Sequence, residues 1–172
     1  MAGSLQLIHT EEITSSITSL DFDNVFSNTF DVYKITSANI STVGTTNNST
    51  GIRLLDSSGT VIDQAEYDYA QRVFRTNTSF GEVKATGQTS VLDFFGVTDQ
   101  APESTGGVGY VYNPFDSSSY TFFSQQNQMA LAGVQRGFKA IGVHKSAESC
   151  RGFRATFTQA VGSGTISVYG VK

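Results

Sequence analysis

Covalent or acid–base catalysis needs a nucleophile, a base and a group that orients the base, and this chain is poor in the residue types that fill those roles. It has two histidines, His9 and His144, and one cysteine, Cys150. Both histidines fall in or beside strand-like segments, so a Ser–His or Cys–His pairing has few members to draw on. Each is read as a strand residue with its polar tip at the surface. Cys150 precedes Arg151, a neighbour of the kind that lowers a thiol pKa. A lone cysteine supplies neither an internal disulfide nor a zinc site of the usual kind, however, and it is read as an incidental free thiol.

The carboxylates offer a second chemistry. Asp21 and Asp23 alternate on one face of a strand, and Asp63, Glu66 and Asp68 form a second group. A hard cation such as calcium uses oxygens of this type, but no Asp-x-Asp-x-Asp-Gly loop is present, so both groups are read as solvated turn charges. No metal and no other cofactor is expected. A glycan-degrading enzyme would need two carboxylates facing each other across a cleft, a separation that sequence spacing does not fix. The chain is read as non-enzymatic.

The aromatics carry more. Phe94 and Phe95, Tyr110 and Tyr112, Phe115, and Tyr120, Phe122 and Phe123 crowd one stretch of the sequence. Side chains alternate between the two faces of a strand, so if Phe94–Phe95 and Phe122–Phe123 lie in regular strands, one member of each pair must face outward. An outward ring serves a subunit interface, where aromatics are enriched, or stacks on a sugar with Gln125, Gln126, Asn127 and Gln128 as polar neighbours; the interface is the favoured use. The candidate interface or glycan residues are therefore Phe94, Phe95, Tyr110, Tyr112, Phe122 and Phe123.

These side chains must be positioned by strands. In 172 residues there are 17 glycines, two prolines and no tryptophan. Such a composition, rich in Val, Ile, Thr, Tyr and Phe, favours strands joined by Gly, Ser, Asn and Asp turns. Period-two apolar alternation places strands near residues 5–9, 16–22, 30–40, 51–56, 60–69, 90–95, 107–112, 120–125, 137–143, 152–159 and 164–171. Residues 65–75 satisfy both a helical and an extended pattern, and a strand leading into a loop is favoured. The fold expected is a single all-β domain over residues 1–172, a β-sandwich or jelly roll of two mainly antiparallel sheets.

Only 15% of residues are charged, and the net charge of −4 leaves no basic field for nucleic acid. No segment approaches the roughly 18 consecutive apolar residues of a membrane-spanning helix, and the N-terminus lacks the basic and apolar regions of a signal peptide. The Asn-x-Ser/Thr matches at Asn39, Asn47, Asn48 and Asn77 carry little weight without such a signal.

Three segments, taken in order, resemble a known family. Gly162-Ser-Gly-Thr-Ile-Ser-Val-Tyr-Gly-Val-Lys172 resembles the terminal strand of small β-sandwich proteins of bacteriophage virions. Phe30-Asp-Val-Tyr-Lys-Ile35 resembles a strand near their start. Tyr67-Asp-Tyr-Ala70, followed by Asn113-Pro-Phe115 and Tyr120-Thr-Phe-Phe123, resembles their middle. The resemblance implies a structural protein of a tailed-phage virion, made in the host cytoplasm, of the capsid-decoration or tail-accessory type. It would contact other virion proteins and form a homo-oligomer. Recognition of a host cell-surface glycan is the competing expectation; neither nucleic acid nor a membrane is expected as a partner.

Overall fold

The computed structural model describes residues 4–44, 48–99, 105–131 and 133–172. They form eleven strands: β1 (Leu5–Ile13), β2 (Ile17–Phe22), β3 (Val32–Thr42), β4 (Thr50–Leu55), β5 (Tyr67–Arg75), β6 (Gly81–Gln88), β7 (Val91–Leu92), β8 (Gly106–Tyr112), β9 (Thr121–Leu131), β10 (Val134–His144) and β11 (Gly152–Val171). The described residues contain no helix. Every ladder between these strands is antiparallel, in the order β6-β5-β10-β9-β8-β3-β11-β4-β7, with β1 and β2 also on β11.

The all-β expectation holds, but the strands hydrogen-bond into one continuous sheet, nearly closed into a barrel. The reason lies in β11. The sequence reading split it into residues 152–159 and 164–171, whereas it is one strand of 20 residues. Its first part, Gly152–Phe157, is flanked by β2 and β4; its last part, Thr165–Val171, is flanked by β1 and β3. Between the two, the register shifts repeatedly, between Thr156 and Val161 against β2, and between Val161, Ser163 and Thr165 against β3. Such irregularities bend a strand and increase its twist. Gly164 sits at the bend with φ +137°, a conformation that L side chains rarely adopt, and a Cβ there would lie 2.8 Å from the Ile40 Cα.

Inside the curled sheet, Tyr33, Ile35, Phe123, Phe153, Ile166 and Val168 contribute to one apolar cluster. Ile166 and Val168 point inward while Thr165 and Tyr169 stay half-buried on the outer side, as the alternation predicts. Ser167 shares that outer side yet is buried, because Thr10 on β1 lies across from it and donates to its hydroxyl at 3.0 Å.

Three segments differ from the sequence reading. Residues 60–69 are mostly loop, with Val61 only bridging to Leu55; the loop leads into β5, the reverse of the expected order. The side chain of Asp56 sets that loop, accepting bonds from the Ser58 and Thr60 amides at 2.8 and 2.9 Å. Residues 90–95 contribute only the two-residue β7. The edge strand β6 escapes notice because the alternation in Gly-Glu-Val-Lys-Ala-Thr-Gly-Gln is weak, with Val83 and Ala85 its only apolar side chains and neither of them buried; Glu82 and Lys84 are charged residues of the kind that keep an open edge from pairing with other chains.

Replacing Gly164 with Ala should lower stability by about 1–3 kcal/mol, since the strained φ and the contact with Ile40 backbone both persist. Urea denaturation measures this directly, and a midpoint equal to that of the parent would show that the bend does not require glycine.

Candidate functional site

Antiparallel register on β3, β8, β9, β10, β5 and β6 lines up outward side chains into rows that run across the strands. One row reads Val32–Tyr112–Phe122–Val143–Asp68. The next reads Lys34–Tyr110–Ser124–Ile141–Ala70–Lys84, and the third Thr36–Val108–Gln126–Lys139–Arg72–Glu82. The face is thus apolar along the first row, mixed along the second and charged along the third. Two open depressions of about 870 and 720 Å³ lie on this face and share Ala70, Lys84, Ser124 and Ile141.

Ile141 is 67% exposed at the centre of this face and Phe122 is 46% exposed beside it, so both leave large apolar area in water. The rings of Tyr110 and Tyr112 lie nearly parallel, with centroids 6.3 Å apart and planes 24° apart. The Tyr112 hydroxyl and the Ser124 hydroxyl are 3.0 Å apart and hydrogen-bonded, which fixes the edge of the platform.

Of the six residues singled out by sequence, Tyr110, Tyr112 and Phe122 meet on this face, while Phe94, Phe95 and Phe123 are buried. Phe123 is inward because it alternates with Phe122 on β9. Phe94 and Phe95 escape alternation because they follow β7 rather than sit in a strand. Asp93 takes φ +52°, and both rings then enter the core, edge to face at 5.1 Å. The Phe94 ring fits only because β8 carries Gly109 beneath it, where a Cβ would stand 2.3 Å from the ring. Sequence reasoning missed Ile141 and Val143, which look like core positions in a strand read alone.

The segment that carries these phenylalanines is pinned from below the face. Gln125 donates to the Asp93 carbonyl at 2.8 Å and Asn127 donates to the same oxygen; Gln71 donates to the Asp93 carboxylate at 2.9 Å. The Asp93 amide in turn donates to the Thr50 carbonyl at 2.6 Å. The alternation that puts Phe123 inside puts Gln125 and Asn127 inside as well, and only Gln126 and Gln128 are exposed. Burial raises the Asp93 pKa above the ordinary carboxylate value, opposed by the bonds from Gln71 and Thr50 and by the charge of Arg136.

The remaining chemistry-bearing residues are dispersed. Asp21 accepts two bonds from Arg154 at 2.5 and 2.6 Å, and Asp23 is paired with Arg151, so these carboxylates fasten β2 to β11. Asp63 is exposed, Asp68 pairs with Lys145 at 3.0 Å, and Glu66 faces His144. Cys150 is buried, which pushes its thiol pKa up to about 12 despite the adjacent arginine. His9 is half-buried and meets Glu11 at 2.8 Å. His144, expected at the surface, is wholly buried against the Tyr67 ring.

No family model matches the chain, and no curated protein matches it in sequence. Among solved structures, exo-inulinase from Aspergillus awamori aligns with 96% of the chain at 9% identity and a TM-score of 0.45; the chain spans only 29% of that enzyme. The SPBc2 prophage-derived protein YomS aligns with 99% of the chain and 93% of its own length, at 10% identity and a TM-score of 0.32. The CBM2 module of an evolved Dit from Lactobacillus casei BL23 phage J-1 aligns with 87% of the chain and 68% of its own, at 14% identity and a TM-score of 0.24. At these scores the likenesses assign neither a fold family nor a function.

The buried Asp93 carboxyl has a measurable consequence. With its folded pKa raised, the folded state holds the proton more tightly than the unfolded chain, so stability is fully present below the unfolded carboxylate pKa and is lost as pH rises through the folded value. Asp93→Asn should remove that loss, and its stability relative to the parent should grow from about pH 4 toward neutrality. Parallel stability curves for the two proteins over that range would contradict the assignment.

Proposed function

We propose that this protein is a non-enzymatic structural component of a tailed-phage particle, a capsid-decoration or tail-accessory protein with a sandwich-like β-fold. It docks on a neighbouring virion protein, or on a second copy of itself, through the apolar part of the outer face. The observation that carries this reading is the row Tyr112–Phe122–Val143 adjoining an Ile141 that is 67% exposed. Contiguous apolar area of this kind costs free energy in water and marks an interaction surface. The charged third row would then form a solvated rim, the usual anatomy of an interface. The ordered resemblance of residues 30–35, 67–70, 113–115, 120–123 and 162–172 to virion proteins supports the particle as its setting. Tyr67 and Cys150, whose proton affinities burial displaces furthest among the described residues, are interior, which supports a non-enzymatic role.

A second reading is favoured by one observation: nearly parallel Tyr110 and Tyr112 rings beside Ser124 form a platform on which a sugar ring of a host surface glycan can stack. The two readings separate on different residues. Tyr110→Ala should abolish binding on a glycan array if the platform is the site, and should weaken particle attachment only modestly if it is not.

The main test is mass spectrometry of separated phage heads and tails. The parent chain should appear in one fraction, and Ile141→Asp or Phe122→Ser should reduce its occupancy by at least about tenfold. Burying either side chain is worth about 1.5–3 kcal/mol, and each 1.4 kcal/mol is a factor of ten. Both substitutions lie at exposed positions, so circular dichroism should be unchanged. Full occupancy of the variants, or absence of the parent from the particle, would contradict the proposal.

A further inference from the structure

Glu66, His144 and Glu148 come from three separate segments: the loop before β5, the last residue of β10 and the loop that leads to β11. One ligand atom from each lies within 4.8 Å of the others. The His144 ring is wholly buried, and its Nε2 is 3.1 Å from Glu66 Oε2 and 3.8 Å from Glu148 Oε1. The ring nitrogen serves Glu66 at hydrogen-bond distance, while Glu148 lies beyond it. Among the described residues, neither carboxylate has a Lys or Arg within ion-pair distance; the adjacent Lys145 ammonium is held by Asp68 at 3.0 Å. Two carboxylates thus converge on a single buried imidazole with no fixed cation between them.

We propose that Glu66, His144 and Glu148 bind a divalent transition-metal ion, with Zn²⁺ the best match to one imidazole and two carboxylates. Tetrahedral zinc holds N and O ligands at about 2.0–2.2 Å, which places neighbouring ligand atoms about 3.3 Å apart. The two Nε2–O distances, 3.1 and 3.8 Å, lie on either side of that value. The imidazole is fixed by burial and by the Tyr67 ring at 4.8 Å, so the site has one rigid ligand. The glutamates are 39% and 33% exposed, free to close the remaining distance and to leave a fourth position open to water. The amide of Lys145 donates to the Glu66 carbonyl at 2.9 Å and holds the first and second ligand segments together without the ion. His144 Nδ1 has no hydrogen-bond partner, so the ligand lacks an outer support, and the site should bind about 10–100-fold more weakly than one with a complete outer shell. The ion would clamp the 145–151 connection onto the start of β5.

The test uses the full chain, stripped with a chelator and titrated with Zn²⁺ by calorimetry and with Co²⁺ by visible absorption. One equivalent should bind, Co²⁺ should give the intense absorption of a tetrahedral site, Zn²⁺ should displace it, and millimolar Mg²⁺ or Ca²⁺ should not compete. Glu66→Gln and Glu148→Gln should each weaken binding at least about tenfold while leaving circular dichroism unchanged. These half-exposed positions are the decisive variants because removing His144 would also disturb the packing around Tyr67. No binding of either metal would overturn the site. So would an affinity unchanged in both glutamate variants, which would place the ion elsewhere, for example at His9 and Glu11.

Discussion

The fold depends on one strand having both edges satisfied twice. β11 gives its first part to β2 and β4 and its last part to β1 and β3, so four strands are held by the backbone of a single segment. A straight strand of 20 residues would span more than 60 Å, far longer than a domain of this size accommodates. It must therefore bend, and the register shifts with Gly164 are where it does so. The bend turns one sheet back on itself. It brings Phe153 near the start of the strand and Ile166 and Val168 near its end into the same core.

The interior and the outer face are two readings of the same strands. On β9, Phe123, Gln125 and Asn127 point inward and Phe122, Ser124 and Gln126 outward. A slip of one residue would exchange these sets, exposing Phe123 and losing the amide bonds that hold Asp93. Core packing thus fixes the register, and the register fixes which aromatics reach solvent. The same ladder aligns Phe122 with Tyr112 and Val143, so the outer apolar row is a consequence of a register set from inside.

What was legible in the sequence follows from how strictly period two applied. Ile166 and Val168 lie in regular ladder positions and face the core, as alternation requires; for Phe122 and Phe123 alternation says that one ring faces outward but not which, and the register settles it for Phe122. Phe94 and Phe95 depart from the rule, because positive φ at Asp93 breaks the alternation just before them. His144 was misplaced for a different reason. On β10 the outward positions Ile141 and Val143 are apolar while the inward ones include Gly142 and His144, so the polarity cue that normally marks the buried side is inverted. The apolar outer face concealed itself by looking like core. β6 was missed because its alternation rests on Val83 and Ala85 alone, and an edge strand that buries neither of its faces needs no stronger apolar pattern to pair with β5.

The decisive measurement is a cryo-EM map of an intact tailed-phage particle of the kind proposed to carry this chain. Density for this chain is expected with Phe122, Ile141 and Val143 covered by an adjacent protein surface and Lys139, Arg72 and Glu82 at the solvated rim. A chain whose β5–β10–β9–β8 face points into solvent while another surface makes the attachment would contradict the proposal.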